Sequence, residues 1–229
     1  MSLNFALLPA AGVGARMGAN GPKQYLVIDG RPMIWHAIHA FERHAAIRRI
    51  YVVLSATDTQ WDTHDWSGFG KLTVLRCGGE TRAESVLNGL AAIAGEVAEQ
   101  DWMLVHDAAR PCLSQGLLDR LLAELAEDAV GGILAAPVAD TLKREGQGRR
   151  IHETVSRAGL WGAQTPQMFR YGLLREALRR AGSEVTDEAS AVERLGLSPR
   201  LVESDASNLK VTFPHDLDVA AWWLERRQS

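Results

Sequence analysis

Short apolar runs alternate along the chain with segments whose apolar residues recur every three or four positions. The run at 4–8 predicts a buried strand, and 50–54 a strand rich in β-branched residues. Residues 72–75, 102–106, 133–137 and 201–203 predict four more. Helices are expected between them. One covers 32–45, with Pro32 in its first turn and Ile34, Ile38 and Phe41 on one face. The next covers 81–97, where Thr81 and Glu84 form a capping box and Val86, Leu90, Ile93 and Val97 follow at helical spacing. A third covers 114–128, with Leu117, Leu118, Leu121, Leu122 and Leu125 on its inner side. Further helices are expected near 171–181 and 187–195, and a last one from Pro214. Such alternation predicts one α/β domain over residues 1–229 with a mostly parallel sheet.

Residues 140–166 break the rhythm. They are polar, lack a helical period and turn at Glu145-Gly146-Gln147-Gly148. A structureless loop of that length is out of place in a compact domain. Residues 141–144 and 150–156 can pair as a hairpin, which alone is marginal in water. It therefore needs a surface to cover: a second copy of the chain, or its own subunit as a lid.

Composition narrows the function classes. With 46% hydrophobic and 23% charged residues the chain is an ordinary globular one. A net charge of −3 lacks the basic excess of a nucleic-acid binder. No apolar run reaches 18 residues, so no spanning helix is expected and no membrane partner. The apolar start from Phe5 to Ala11 lacks a basic leader and is cut by Pro9, unlike a signal peptide. Cys77 and Cys112 form no CxxC pair, which predicts a reduced, cytoplasmic setting. Of 25 basic residues only four are lysine (Lys23, Lys71, Lys143 and Lys210), an imbalance that coding bias would explain.

The densest chemistry follows the first strand: Leu7-Leu8-Pro9-Ala10-Ala11-Gly12-Val13-Gly14-Ala15-Arg16-Met17, continuing to Gly21-Pro22-Lys23-Gln24. Small residues there let backbone approach a ligand closely, at the strand end where open α/β sheets bind ligands. The dinucleotide fingerprint fails, because Met17 stands where its third glycine belongs. The Walker pattern fails too, for want of Gly-Lys-Ser or Gly-Lys-Thr. A glycine loop carrying Arg16 and Lys23 remains, which suits a triphosphate; a glycine-rich turn with solvated charges is the alternative. Asp107, directly after strand 102–106, is placed to hold Mg²⁺ over phosphates, or else to cap a turn. His36 and His39 stand at i, i+3 on a helix and His44 follows, but no third ligand is evident, and amphipathic packing is the reading.

The loop resembles the signature of nucleotidyltransferases with a Rossmann-like core. Within that group the chain is most similar to the 2-C-methyl-D-erythritol 4-phosphate cytidylyltransferase family. Other blocks agree and in the same order: Gly78-Gly79-Glu80-Thr81-Arg82-Ala83-Glu84-Ser85-Val86, Val105-His106-Asp107-Ala108-Ala109-Arg110-Pro111, Pro137-Val138-Ala139-Asp140-Thr141, Thr165-Pro166-Gln167, Thr186-Asp187-Glu188-Ala189 and Asn208-Leu209-Lys210-Val211-Thr212. The resemblance implies a single nucleotidyltransferase domain with residues 139–165 as a protruding β-arm that forms a homodimer. It implies transfer of CMP from CTP to 2-C-methyl-D-erythritol 4-phosphate with release of pyrophosphate. The product, 4-diphosphocytidyl-2-C-methyl-D-erythritol, belongs to the non-mevalonate route to isoprenoid precursors.

The same resemblance implies residue roles. Arg16 and Lys23 stabilise the transition state, while Pro9, Ala10, Ala11, Gly12 and Gly14 wrap the triphosphate. Gly79, Glu80, Arg82 and Ser85 read the cytosine and its surroundings, Ala108 adjoins the nucleotide, and Asp107 holds Mg²⁺. Arg110, Thr165, Thr186 and Lys210 bind the acceptor from the main domain, Lys210 also serving catalysis. Thr141 and Arg157 reach the acceptor of the other subunit, with Arg157 also catalytic. The family often has aspartate at the position of Glu80, and Asp205 is not assigned. Three rivals differ in substrate or class. They are a cytidylyltransferase for ribitol 5-phosphate, a sugar-nucleotide pyrophosphorylase, and a non-catalytic nucleotide-binding regulator. The regulator would lack Arg16, Lys23 or Asp107, and all three are present. Lys23 and Lys210 both fall in motif blocks, so coding bias no longer best explains where the few lysines stand.

Overall fold

The structure, a computed structural model, describes residues 2–12, 21–182 and 185–228. Its strands in chain order are β1 (Asn4–Pro9), β2 (Val27–Ile28), β3 (Arg31–Pro32), β4 (Ile47–Val53), β5 (Leu72–Leu75), β6 (Trp102–Val105), β7 (Gly131–Pro137), β8 (Leu142–Glu145), β9 (Ile151–Val155), β10 (Trp161–Arg170) and β11 (Arg200–Glu203). Its α-helices are α1 (Met33–Glu42), α2 (Arg82–Ala92), α3 (Gln115–Leu125), α4 (Tyr171–Ala181), α5 (Glu188–Glu193) and α6 (Asp216–Gln228). Seven strands make the main sheet in the order β11-β7-β10-β6-β1-β4-β5. All neighbours in it are parallel except β10, which is antiparallel to β6 and β7.

The apolar runs are continuous because both faces of the sheet are covered. Along β1, Phe5 and Leu7 enter one core cluster with Val86 and Leu90 of α2 and Leu174 of α4. Ala6 and Leu8 point the other way, into a cluster with Ile38 of α1 and Leu118 of α3. The strand period of two thus divides one sequence run between two cores. Helix α2 lies unusually close: a Cβ on its Gly89 would stand 2.6 Å from Val53 Cγ2 and 3.0 Å from Leu7 Cδ1. This contact sets the N-terminus of α2 beside the carboxyl ends of β1 and β4.

Expected helices shorten at their ends, where caps intervene. Thr81 is the N-cap its box predicts, and Ser114 and Asp187 are likewise N-caps rather than first helical residues, each accepting a backbone N–H through its side chain. Helix α2 stops at Ala92, although Ile93 and Val97 remain in the core beyond it. The polar, proline-bearing stretch 161–170 gave no strand pattern, yet it runs between β6 and β7. Pro166 is tolerated there because the pairing with β7 shifts register between Ala163 and Gln167. Trp161, Gly162 and Ala163 pair with Pro137, Ala136 and Ala135, so residues 161–165 of the expected arm belong to the sheet.

What protrudes is the β8–β9 hairpin, inserted between the antiparallel neighbours β7 and β10. Its strands are exposed along nearly their whole length, and Ile151 keeps 67% of its surface. It leaves the sheet at the carboxyl end of β7, the end at which β1 and β6 also deliver their loops. Of the two C-terminal tryptophans, Trp223 packs on the cluster under α6, while Trp222 is half exposed beneath the Arg226 guanidinium.

Candidate active site

Short bonds between distant segments pin the base of the glycine loop. Ala10 donates its N–H to Val53 O at 2.8 Å, and Gln24 Nε2 donates to Ala10 O at 2.7 Å. Gln24 therefore closes the loop from its far side, a role its place in Pro-Lys-Gln did not reveal. The next loop fits against it only because Gly78 has no side chain. A Cβ there would be 2.3 Å from Ala11 Cβ. Gly14 and Arg16 lie outside the described residues.

The turn into α2 is built by its own side chains. Glu84 donates its N–H to Thr81 Oγ1 at 3.1 Å, and Thr81 returns its N–H to Glu84 Oε2 at 3.2 Å. Ser85, expected at the base, accepts from Gly79 N–H at 3.1 Å and donates to Thr81 O at 2.9 Å. Its hydroxyl shapes the loop carrying Gly79 and Glu80. Lys23 sits on a single 3-10 turn, Lys23–Tyr25, and its Nζ donates to Val211 O at 3.2 Å. A cavity of about 340 Å³ joins these parts. Pro9, Ala10, Ala11, Gly12, Lys23, Gly79, Glu80, Arg82, Ser85, Asp107, Ala108 and Lys210 all line it.

Asp107, released at the end of β6, is the hub. Its Oδ1 accepts from Arg82 Nε at 2.9 Å and its Oδ2 pairs with Lys210 Nζ at 2.7 Å. Burial alone would raise the Asp107 carboxyl, but Arg82 and Lys210 outweigh it and hold it well below the usual carboxylate range. The backbone is held as firmly. Asp107 N–H donates to Thr165 Oγ1 at 3.1 Å, and that hydroxyl lies 3.0 Å from His106 Nδ1. His106 Nε2 is 3.0 Å from Arg110 O, which can only accept. The tautomer follows: Nε2 carries the proton and Nδ1 accepts from Thr165. Burial pushes this imidazole down to about 4, so it stays neutral near pH 7 and acts as a fixed strut.

Arg82, also expected at the base, has all three guanidinium nitrogens on carboxylates. Besides Asp107 it grips Glu188, Nη1 to Oε1 at 2.6 Å and Nη2 to Oε2 at 3.0 Å. The Thr186-Asp187-Glu188-Ala189 block gives Glu188 no role of its own. An acidic residue opening a helix suggests only macrodipole compensation.

A second cavity of about 190 Å³ shares Arg82, Asp107 and Lys210 with the first and adds Arg110, Thr165 and Thr186. Arg110 donates to Asn208 O at 2.6 Å and to Ala163 O at 3.4 Å. Its Nε has no protein partner among the described residues. Asn208 in turn donates to Thr165 O and to Gln164 Oε1, tying the wall together. Asp205 turns its carboxylate onto Ser207 N–H at 2.7 Å, a local turn. Thr141 and Arg157 are exposed and line neither cavity.

Two cavities thus meet at one carboxylate ringed by cations. Among the described residues no cluster of three His, Cys, Asp or Glu side chains exists. The donor set fits a hard cation that arrives with phosphate oxygens, since Mg²⁺ commonly takes one carboxylate plus phosphates.

Comparison with known proteins agrees over the full length. The family model described as 2-C-methyl-D-erythritol 4-phosphate cytidylyltransferase matches residues 5–226. The protein of that name from Thiobacillus denitrificans is 59% identical, covering 95% of both chains. The one from Dechloromonas aromatica is 57% identical over 100% of both. A crystal structure of 4-diphosphocytidyl-2C-methyl-D-erythritol synthase superposes with a TM-score of 0.87 at 46% identity, covering 98% of this chain and 99% of that one. The cytidylyltransferase from Thermus thermophilus gives 0.78 at 34% identity, covering 99% and 100%. With its glycine loop, its Asp107 hub and both substrate-sized cavities lying within that full-length match, the chain belongs to the 2-C-methyl-D-erythritol 4-phosphate cytidylyltransferase family.

Proposed function

We infer that the chain transfers CMP from CTP to 2-C-methyl-D-erythritol 4-phosphate, in the assembly of isoprenoid precursors. The observation that carries this assignment is the meeting of two cavities at Asp107, Arg82 and Lys210. The larger takes CTP, with its triphosphate along the glycine loop and Lys23. The smaller takes the acceptor, whose phosphate lies toward Arg110 and Lys210, with Thr165 and Thr186 on its walls. An acceptor phosphate oxygen attacks the α-phosphorus of CTP, the bond to the bridging oxygen breaks in line, and pyrophosphate leaves. The acceptor is already an anionic nucleophile, so positioning and cationic stabilisation supply the catalysis. Lys23, Lys210 and Arg16 offset the charge that gathers on the α-phosphate and leaving group. Mg²⁺ would be held by Asp107 together with phosphate oxygens, and when bound it supplies further charge neutralisation.

The exposed hairpin supports a homodimer in which Thr141 and Arg157 complete the partner's acceptor site. No helix among the described residues is long and apolar enough to cross a membrane. The cytoplasm, where nucleoside triphosphates are available, is the proposed compartment.

Pyrophosphate release from CTP and Mg²⁺ is expected with 2-C-methyl-D-erythritol 4-phosphate. Release with ribitol 5-phosphate and none with the first acceptor would overturn the assignment. The shared site is tested by mixing two inactive variants, Arg157→Ala and Asp107→Asn, after unfolding and refolding them together. Half the dimers should be mixed, each with one intact site, restoring about a quarter of the parent activity. No recovery, with mixed dimers present by mass spectrometry, would sink the shared arm.

A further inference from the structure

Arg82 lines both cavities, whereas Glu188 lines neither and meets the site through Arg82. Glu188 opens α5 and its side chain is fully buried, while Arg82 is 30% exposed and Lys210 40%. The pairing is geometrically complete. Both oxygens of Glu188 take the two terminal nitrogens of Arg82, so only Nε is left to face Asp107. A guanidinium released from that grip has another option. It can turn its two-pronged face to Asp107 and take both carboxylate oxygens, the preferred geometry of such pairs. Asp107 would then have no oxygen to exchange. With Glu188 in place, the bond to Oδ2 among the described residues is that of the Lys210 ammonium, a compact group on a flexible stem at the cavity edge.

We propose that Glu188 is a positioning residue: it restrains Arg82 to a single bond with Asp107 and so keeps Oδ2 exchangeable for the cation carried by the nucleotide. Lys210 is the partner that leaves, and Arg82 remains as the fixed brace. The inference rests on the assignment of Asp107 to the metal–nucleotide complex.

The probe is Mn²⁺ with CTP, its binding followed by electron paramagnetic resonance without turnover. Glu188→Gln keeps the shape and removes the charge. It is expected to weaken Mn²⁺–CTP binding about tenfold and to raise the half-activating Mg²⁺ concentration similarly. A purely structural role would instead lower the melting temperature and leave both metal curves unmoved, which overturns the proposal. Arg82→Gln, alone and combined with Glu188→Gln, supplies the second measurement. Once Arg82 is gone Glu188 has nothing to restrain, so the two should bind Mn²⁺–CTP within about twofold of each other. A further tenfold loss in the combined variant would also overturn it. The combined variant removes both charges of the pair and keeps this comparison open if Glu188→Gln alone folds poorly. A parent protein that binds no Mn²⁺–CTP and releases no pyrophosphate would sink the proposed function itself. An active parent with a Glu188→Gln variant indistinguishable from it would sink only the role of Glu188.

Discussion

Lys23→Ala is expected to lower kcat by about 10²–10³-fold while CTP affinity falls less than tenfold. The reason lies in how Lys23 is presented. Its turn is bounded by Pro22 and Leu26, both extended, and the adjoining Gln24 and Tyr25 are buried. Gln24 is bonded to Ala10 O at the start of the glycine loop, so the lysine backbone moves with the triphosphate cradle. A preorganised cation of this kind contributes most where charge develops, and less to ground-state binding shared with many backbone donors. Lys23→Arg should restore little, since a planar fork replaces a compact point charge. Single-turnover kinetics together with calorimetric CTP titration separate the two effects. Near-parent kcat in Lys23→Ala would refute the role.

Asp107→Asn is expected to cost about 10³-fold in kcat/KM and to destabilise the protein by about 1–3 kcal/mol at pH 7. The isosteric amide leaves Arg82 and Lys210 facing a neutral group. The loss stays below the roughly 3–5 kcal/mol of a broken, fully buried pair because both cations reach solvent in part. Its pH dependence has a definite sign. The folded-state carboxyl of Asp107 is held below its unfolded value, so the stabilisation is present above the unfolded pKa, about 4. It is lost as pH falls from there through the depressed folded pKa. Urea denaturation of parent and variant should show a constant gap between pH 6 and 8 that closes in strong acid. A gap that widens on acidification would contradict the ion pairs.

Much of the fold was legible in local pattern. The strand expected at 50–54 is found at Ile47–Val53, the helices at Arg82–Ala92 and Tyr171–Ala181 follow from apolar spacing, and the Thr81–Glu84 box marks its helix start to the residue. The strand at Trp161–Arg170 was not legible. Its proline and polar residues oppose a central strand, and only the register shift opposite β7 and the neighbours on both sides make it one. The site divided in the same way. Residues brought by motif order do line the two cavities, including Ala10, Gly12, Lys23, Asp107 and Lys210 in the first and Arg110, Thr165 and Thr186 in the second. Thr141 and Arg157 do not meet them within the chain.

By itself the sequence determined the class of the fold through its periodicity and the chemical types gathered for phosphate transfer, and its motif blocks carried the resemblance to the family, because these are properties of neighbours along the chain. Tertiary structure alone decided which partner each charge faces. Arg82 meets Glu188 across 106 positions, Arg110 bonds Asn208 across 98, and Lys210 reaches Asp107 from a different loop. Those pairings depend on where β6, α2 and α5 end in space, which is set by packing on both faces of the sheet rather than by any local preference.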